Sequence, residues 1–428
     1  MHCEHFGRCG GCTYLDISYE EELAVKKEAL VECLGEYGHL VGNLHPSPVR
    51  TGYRNKMEFA FGDEGKDGLL ALGIRKKRSF YEVATPSDCV LIPEDFKIIV
   101  RYVIEHFRET GETFFHRKRH TGALRHLVLR RGEFTGEILV MLSAASTLKA
   151  PLEPFVSGLL SLPLGGKIVG ILHSVNDGVA DAVKNENTSL IHGRDFYNEE
   201  ICGLKFKVSA FSFFQTNSKG AEVLYKIVRD FAAGEPDGEN FGGSLAYDLY
   251  CGTGTIAQII SPVFRKVLGV ELIEDAILAA RENAAANNIT NCEFHAGDAF
   301  AILAAQPAAG SESSESFESF ESSESFEFSE SPEEREFPES QIPVLPEVIV
   351  VDPPRDGLHP KALSKIAEIA APRIVYVACK PKSLARDMPV LIEAGYTPVK
   401  TEAVDMFPYT PHVEAIALLR RQDTGVSL

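Results

Sequence analysis

From about residue 206 onward, apolar positions fall into short β-branched runs separated by turns and by segments of helical period. GSLAYDLYCGTGTIAQII reads as a strand, a glycine turn and a helix start, and KVLGVELI follows as a further short strand. Downstream, PEVIVVDPPR and RIVYVACKP are two more runs ended by proline-containing turns, with KALSKIAEIA between them at helical period. Strands alternating with helices predict a doubly wound α/β sheet over 206–428, with its functional residues at the carboxyl ends of the strands. The first half is less periodic. A helix over about 19–37 and the strand-like runs MEFAFG, LRHLVLRR and GEILVMLS predict a mixed α+β region.

A chain of 428 residues exceeds a comfortable single core, so three regions are expected: a cysteine-bearing segment over 1–92, a central α+β domain over 93–205, and the α/β domain over 206–428. No apolar run approaches 18 residues and the start, MHCEHFGRCGGC, is no signal peptide, so the expectation is a cytoplasmic protein without a membrane partner. The net charge of −18 argues against an RNA partner until its distribution is considered. Residues 311–340 alone carry eleven Glu and one Arg, over half of the excess. This Ser/Glu/Phe run has too few aliphatic residues to bury, and an insertion without fixed structure is expected over about 306–345. By contrast, residues 50–135 hold 17 Lys and Arg against 12 Asp and Glu. Basic clusters at Arg75, Lys76, Lys77, Arg78 and at Arg117, Lys118, Arg119, with Tyr53, Phe80 and Tyr81 interleaved, suit nucleic acid.

Candidate chemistry gathers at the strand ends of the α/β region. DLYCGTGT, from Asp248 to Thr255, is a glycine turn through which backbone can approach a ligand. Glu271 ends the next strand, where a carboxylate can bond ribose hydroxyls, and Asp298 follows one strand later. One glycine turn with acidic residues at successive strand ends, and no G-x-G-x-x-G, suits a nucleoside without a pyrophosphate, namely S-adenosylmethionine (SAM). VDPPRDG, from Asp352 to Gly357, VACKP with Cys379, and HVEAIALL with Glu414 complete the set. Carbon 5 of uracil is a poor nucleophile until a thiolate adds at carbon 6. After methyl transfer a base must remove the carbon-5 hydrogen so that the thiol can leave. Cys379 and Glu414 are the candidates for nucleophile and base, and Lys380 is a charge that can lower the thiol's pKa.

SFFQTN, DLYCGTG, VVDPPRDGL, YVACKPKSLARD and HVEAIALL, in that order, resemble the RNA 5-methyluridine methyltransferases, which include bacterial 23S rRNA enzymes and the tRNA T-loop enzyme. The resemblance covers nearly the whole chain. It implies a Rossmann-like SAM domain, SAM contacts from Gln215, Tyr250, Thr255, Glu271, Asp298 and Asp352, and the covalent roles of Cys379 and Glu414. Two positions depart from it: Ala378-Cys379-Lys380-Pro381 stands where the family commonly shows SCNP, and Tyr409 stands where it shows histidine.

Cys3, Cys9 and Cys12, with Cys89 far downstream, have the look of four thiolate ligands, and spacing alone leaves zinc as a rival. The resemblance to the rRNA branch implies a [4Fe-4S] cluster, hence 23S rRNA as target. Cluster-bearing relatives often have an amino-terminal OB-like domain. This chain starts two residues before Cys3, so that domain is expected to be missing. RNA capture then rests on the central domain, including Arg54, Asn55, Lys56, Arg125 and His126, and no obligatory protein partner is implied. Rival readings are a tRNA T-loop uridine enzyme, an amino-group methyltransferase built on the DPP turn, and an iron–sulfur RNA-binding protein without catalysis.

Overall fold

The computed structural model describes residues 3–65, 68–178, 187–234, 243–297 and 345–422. An eight-stranded sheet runs in the spatial order Val41–His45, Tyr396–Val404, Glu414–Arg421, Arg373–Ala378, Val348–Val351, Gly243–Leu249, Phe264–Glu271 and Cys292–Ala296. Glu414–Arg421 is antiparallel to both neighbours, and the remaining adjacent pairs are parallel. This is the doubly wound sheet read from the sequence. Helices Ser218–Ala233, Thr255–Ile260 and Glu274–Ala286 pack on one face, and Tyr19–Leu34, Pro360–Ile369 and Pro381–Glu393 on the other. Sheets covered on both faces use continuous apolar strands, and all four residues of Val348–Val351 are buried. Each such side chain stabilises the fold by roughly 1.5–3 kcal/mol, which gives the residue that follows, Asp352, a rigid base.

A seven-stranded sheet has the order Val83–Ala84, Leu70–Arg75, Lys56–Asp63, Leu124–Arg131, Glu137–Ala144, Lys167–Val175 and Thr188–Gly193. It is antiparallel except where Glu137–Ala144 pairs with Lys167–Val175 through the crossover helix Leu152–Leu160. Strand side chains alternate between faces. Met57, Phe59, Phe61, Leu127, Leu129 and Val140 therefore point together into a core with helices Glu94–Glu109 and Leu152–Leu160. The register Lys56↔Arg130, Ala60↔His126 and His126↔Ser143 puts Lys56, His126, Arg130 and Ser143 on the opposite face. On that face Val128, Leu139, Met141 and Leu172 join a core shared with the eight-stranded sheet.

The chain crosses from one sheet to the other between His45 and Lys56, within the segment that the sequence groups as 1–92. Helix Tyr19–Leu34 and strand Val41–His45 lie on the C-terminal sheet, whereas the strands from Lys56 onward form the second one. The Ser/Glu/Phe insertion called over 306–345 lies, but for residue 345, outside the described residues. Among the described residues no helix is long and apolar enough to cross a membrane.

Candidate active site

The first strand of the α/β unit, Gly243–Leu249, has Phe264–Glu271 on one side and Val348–Val351 on the other. Open α/β sheets bind ligands at such a topological switch point, beyond the carboxyl ends of the strands. The chain leaves the strand through Tyr250, which has φ +65°, and turns through Gly252 and Gly254. Gly254 has φ +75° and is closely covered: a Cβ there would stand 2.7 Å from the Phe294 ring. A Cβ on Gly252 would meet nothing within 4 Å, so the turn is open on that side. Glu271 fixes the turn by accepting from the Gly252 N–H at 3.1 Å and, through its other oxygen, from the Ile273 N–H at 3.1 Å.

Asp248 lies beneath this turn, fully buried. One carboxylate oxygen accepts from the Ala257 N–H at 2.8 Å, while Oδ1 has no hydrogen-bond partner among the described residues. Burial pushes its carboxyl well up, with Asp352 and Glu271 adding repulsion. An unpaired buried acceptor is costly and calls for a donor or cation. Gln215 is 6% exposed and hydrogen-bonded to Tyr225, whose own neighbours include Asp352 and Glu414. Thr255, the first residue of its helix, is buried. Asp298 lies outside the described residues.

Cys379 follows strand Arg373–Ala378, and Glu414 opens the antiparallel neighbour. Their register ends at Ala378↔Ala415, so one further step sets Cys379 opposite Glu414. Cys379 is half-buried and Glu414 only 3% exposed. Burial, then Glu414 and Asp352, push the thiol up to about 11, with Arg355 opposing them. Glu414 is pushed well above the usual carboxyl range by burial and then by Asp352, again with Arg355 opposing. Burial also raises Asp352, to about 6. Thiol, carboxyl and guanidinium thus lie within electrostatic reach of one another, with Asp352 as a shared neighbour, an arrangement that can pair a nucleophile with a base.

The family model described as tRNA (Uracil-5-)-methyltransferase matches residues 339–422, which hold Asp352, Cys379 and Glu414. One described as a methyltransferase domain matches 243–331. An uncharacterized RNA methyltransferase of Clostridium tetani is 41% identical over 99% of this chain and 84% of its own length. One from Caldanaerobacter subterraneus is 39% identical over 98% and 84%. The chain belongs to the RNA uracil-5 methyltransferase family. Among solved structures it is similar to the Pyrococcus abyssi tRNA (uracil-54, C5)-methyltransferase in complex with S-adenosyl-L-homocysteine. There the TM-score is 0.71 and the identity 25%, over 96% of this chain and 86% of that one.

In this SAM-dependent RNA methyltransferase, Tyr250, Thr255, Glu271 and Asp352 stand at the carboxyl ends of their strands or in the turn that follows. Gln215 bonds Tyr225, which has Asp352 near it, and Asp298 lies outside the described residues. One expectation needs correcting. The thiol is raised rather than lowered, the charge that opposes the rise is Arg355, and the Lys380 ammonium lies 3.9 Å from Asp356. Sequence reading also missed Asp248, quoted only as the start of the glycine motif. An acidic residue at the end of an apolar strand was the available signal; its burial was not visible.

Cys3, Cys9, Cys12 and Cys89 line one pocket together with Phe6, Ile74 and Leu91. Burial and the other three cysteines push Cys12 up to about 12, which places the four thiols within electrostatic reach of one another. The Gly11 N–H donates to Cys9 Sγ at 3.4 Å, and the backbone N–H groups of Leu91 and Ile92 bond Cys89. Among the described residues no group of three or more His, Cys, Asp or Glu side chains is placed to hold a metal ion.

Proposed function

We propose that this methyltransferase acts on carbon 5 of a uridine in 23S rRNA through a covalent adduct. What supports the reading is the antiparallel register that ends at Ala378↔Ala415, one residue short of both Cys379 and Glu414, with the two side chains within electrostatic reach of each other. Cys379 gives its thiol proton to solvent and adds Sγ to carbon 6 as a thiolate. The carbon-5–carbon-6 electron pair moves onto carbon 5, and carbon 5 would take the methyl as the donor's sulfur–methyl bond breaks and a neutral thioether leaves. SAM supplies that methyl on a sulfonium centre. Glu414 then takes the carbon-5 hydrogen as a proton, the carbon-5–carbon-6 double bond reforms, and the sulfur leaves. Glu414 must be ionised at this step, and the Arg355 charge beside it favours that state. Gln215, Tyr250, Thr255, Glu271, Asp298 and Asp352 are assigned to holding SAM. The unpaired Asp248 oxygen and the open side of Gly252 support a polar, cationic occupant.

RNA is assigned to the loops beside the seven-stranded sheet, where Lys77, Arg78, Lys118 and Arg119 are exposed, and to the half-buried Lys56, with the buried His126 and Arg130 behind them. Lys56, with Arg54 and Arg130 near, is lowered to about 8, chiefly by burial, and His126, with Arg75, Arg125 and Arg117 near, to about 4. Such crowding of cations suits a polyanion. Tyr81 stacks on His116 at 4.4 Å and Phe80 is 79% exposed, which adds surfaces on which bases can stack. The site's need for an extruded base points to a uridine in a loop or bulge.

The four-cysteine pocket is assigned to a [4Fe-4S] cluster, with Cys3, Cys9, Cys12 and Cys89 as ligands and a structural rather than catalytic part. Four thiols around one apolar pocket, with N–H groups directed at two of the sulfurs, support thiolate ligation. Tetrahedral zinc is the rival occupant of the same four thiolates. Protein purified without oxygen is expected to contain about four iron atoms per chain. One zinc and no iron would overturn the assignment.

The target rests on the resemblance to the cluster-bearing rRNA branch. A tRNA uridine is the second reading, favoured by the family model's description and by the Pyrococcus abyssi enzyme. Mapping 5-methyluridine in total RNA with and without the gene decides between them. Loss of one or more 23S rRNA sites is expected; loss confined to tRNA would reassign the target, and loss of a methyl on nitrogen would overturn the chemistry.

A further inference from the structure

Helix Tyr19–Leu34 buries a repeating face, Glu22, Lys26, Leu30 and Leu34, and two of these positions are charged. The Lys26 ammonium lies 2.7 Å from Glu22 Oε1 and 2.6 Å from Asp405 Oδ1, and donates to the Phe407 carbonyl at 3.1 Å. The Tyr19 hydroxyl donates to the second Asp405 oxygen at 2.8 Å and accepts from the Ser47 N–H at 2.8 Å. Glu22, Lys26 and Asp405 are each at most 2% exposed. Removing three charges from water is costly, and apolar side chains would fill the same space with comparable stability. A gain in stability alone therefore does not account for them.

Their partners give the reason. Asp405 directly follows Val404, the cross-strand partner of Glu414, so residues 405–413 form the loop between the two strands. Every bond of the cluster outside its own helix reaches that loop or the segment beneath it. Glu22 Oε1 accepts from the Tyr409 N–H at 2.5 Å, and Tyr409 is held at φ +68°, a conformation unfavourable for a tyrosine unless its surroundings fix it. The Tyr409 carbonyl accepts from the Thr13 and Tyr14 N–H groups at 2.7 and 3.1 Å. On the other side, Asn217, two residues after Gln215, donates to the Met406 carbonyl at 3.0 Å. The loop is gripped by the first helix, the cysteine-bearing segment and the cofactor-side segment together.

We propose that Glu22, Lys26 and Asp405 are positioning residues that hold the loop so that Glu414 reaches the carbon-5 hydrogen of the adduct. The inference rests on the role given to Glu414 above. A shift of about 1 Å at a catalytic group can cost on the order of 100-fold in rate. Misplacing Glu414 leaves thiol addition and methyl transfer possible and slows the step that follows.

The test compares Lys26→Met, Tyr19→Phe and, as control, Glu414→Gln in the full-length enzyme, using a uridine-containing transcript of its methylated RNA and radiolabelled SAM. Lys26→Met is expected to lower kcat by about 10- to 100-fold, with KM for RNA and affinity for SAM changed less than about threefold. It should also accumulate a methylated protein–RNA adduct that resists denaturing gels, as the control does. Tyr19→Phe removes one hydroxyl and should show the same adduct at a lower level. If Lys26→Met fails to bind SAM, Tyr19→Phe decides. A control that traps adduct while the folded variants turn over without it would reduce the cluster to a structural support. A control that traps none would remove the role of Glu414 and this inference with it.

Discussion

In the eight-stranded sheet Asp248, Glu271, Asp352, Cys379 and Glu414 stand within two residues of a strand end, above interiors that are apolar on both faces. In the seven-stranded sheet Lys56, His126 and Arg130 lie within the strands, on a single face. Their electrostatics are opposed as well. Burial and neighbouring carboxylates push Asp248 and Glu414 up, whereas burial and neighbouring cations push Lys56 and His126 down. Each sheet gathers like charges, an arrangement stable only at some cost to the free protein and relieved by a ligand of opposite charge. On the reading proposed above, the carboxylates serve a cationic cofactor and the cations a polyanion.

The largest effect should come from the acidic crevice. Cys379→Ala is expected to reduce methyl transfer at least about a thousand-fold, because alanine cannot add to carbon 6, while SAM binding by calorimetry stays near that of the parent. Loss of both would show that the residue supports the crevice rather than the chemistry. A smaller effect is expected at Asp352, whose carboxyl is raised from 3.8 to about 6. A raised carboxyl favours the folded state below its unfolded pKa, and that contribution is lost as pH rises through about 6. Asp352→Asn should therefore stabilise the free enzyme by about 3 kcal/mol at pH 7 and by little at pH 4, while weakening SAM binding. Denaturant midpoints at the two pH values, without SAM, measure this; equal shifts at both would contradict it.

The smallest effect should appear on the basic face. Lys56 is lowered to about 8, so it begins to lose its proton just above neutrality. RNA binding holds the protonated form, and affinity should fall as pH rises past about 8, by no more than about tenfold per pH unit. Lys56→Gln should flatten that dependence. An unchanged pH profile would place the RNA elsewhere.

Much of the crevice was legible because its elements are local. An apolar run followed by a proline turn shows where a strand ends, as at Asp352 and Cys379; Glu271 closes an apolar run, and Glu414 opens one after the Pro411 turn. What the sequence hid depends on pairing between distant segments. Val41–His45 joins the sheet beside Tyr396–Val404, across more than 350 residues, and nothing local records it. Glu22 and Lys26, four apart on a helix, have the spacing of an exposed ion pair; only their contact with Asp405 and Tyr409 makes them a buried clamp. Cys379 and Glu414 could be named separately from chemistry, but their opposition follows from an antiparallel register that spans the helix Pro381–Glu393 and a whole strand.

The central claim, that Glu414 acts on an adduct held by Cys379, is tested most directly by trapping. Glu414→Gln, incubated with RNA and methyl-labelled SAM, should accumulate a denaturation-resistant protein–RNA species that carries the label. The same species should be absent from the Cys379→Ala, Glu414→Gln double variant. Free turnover by the single variant, or an adduct that survives loss of Cys379, would contradict the account.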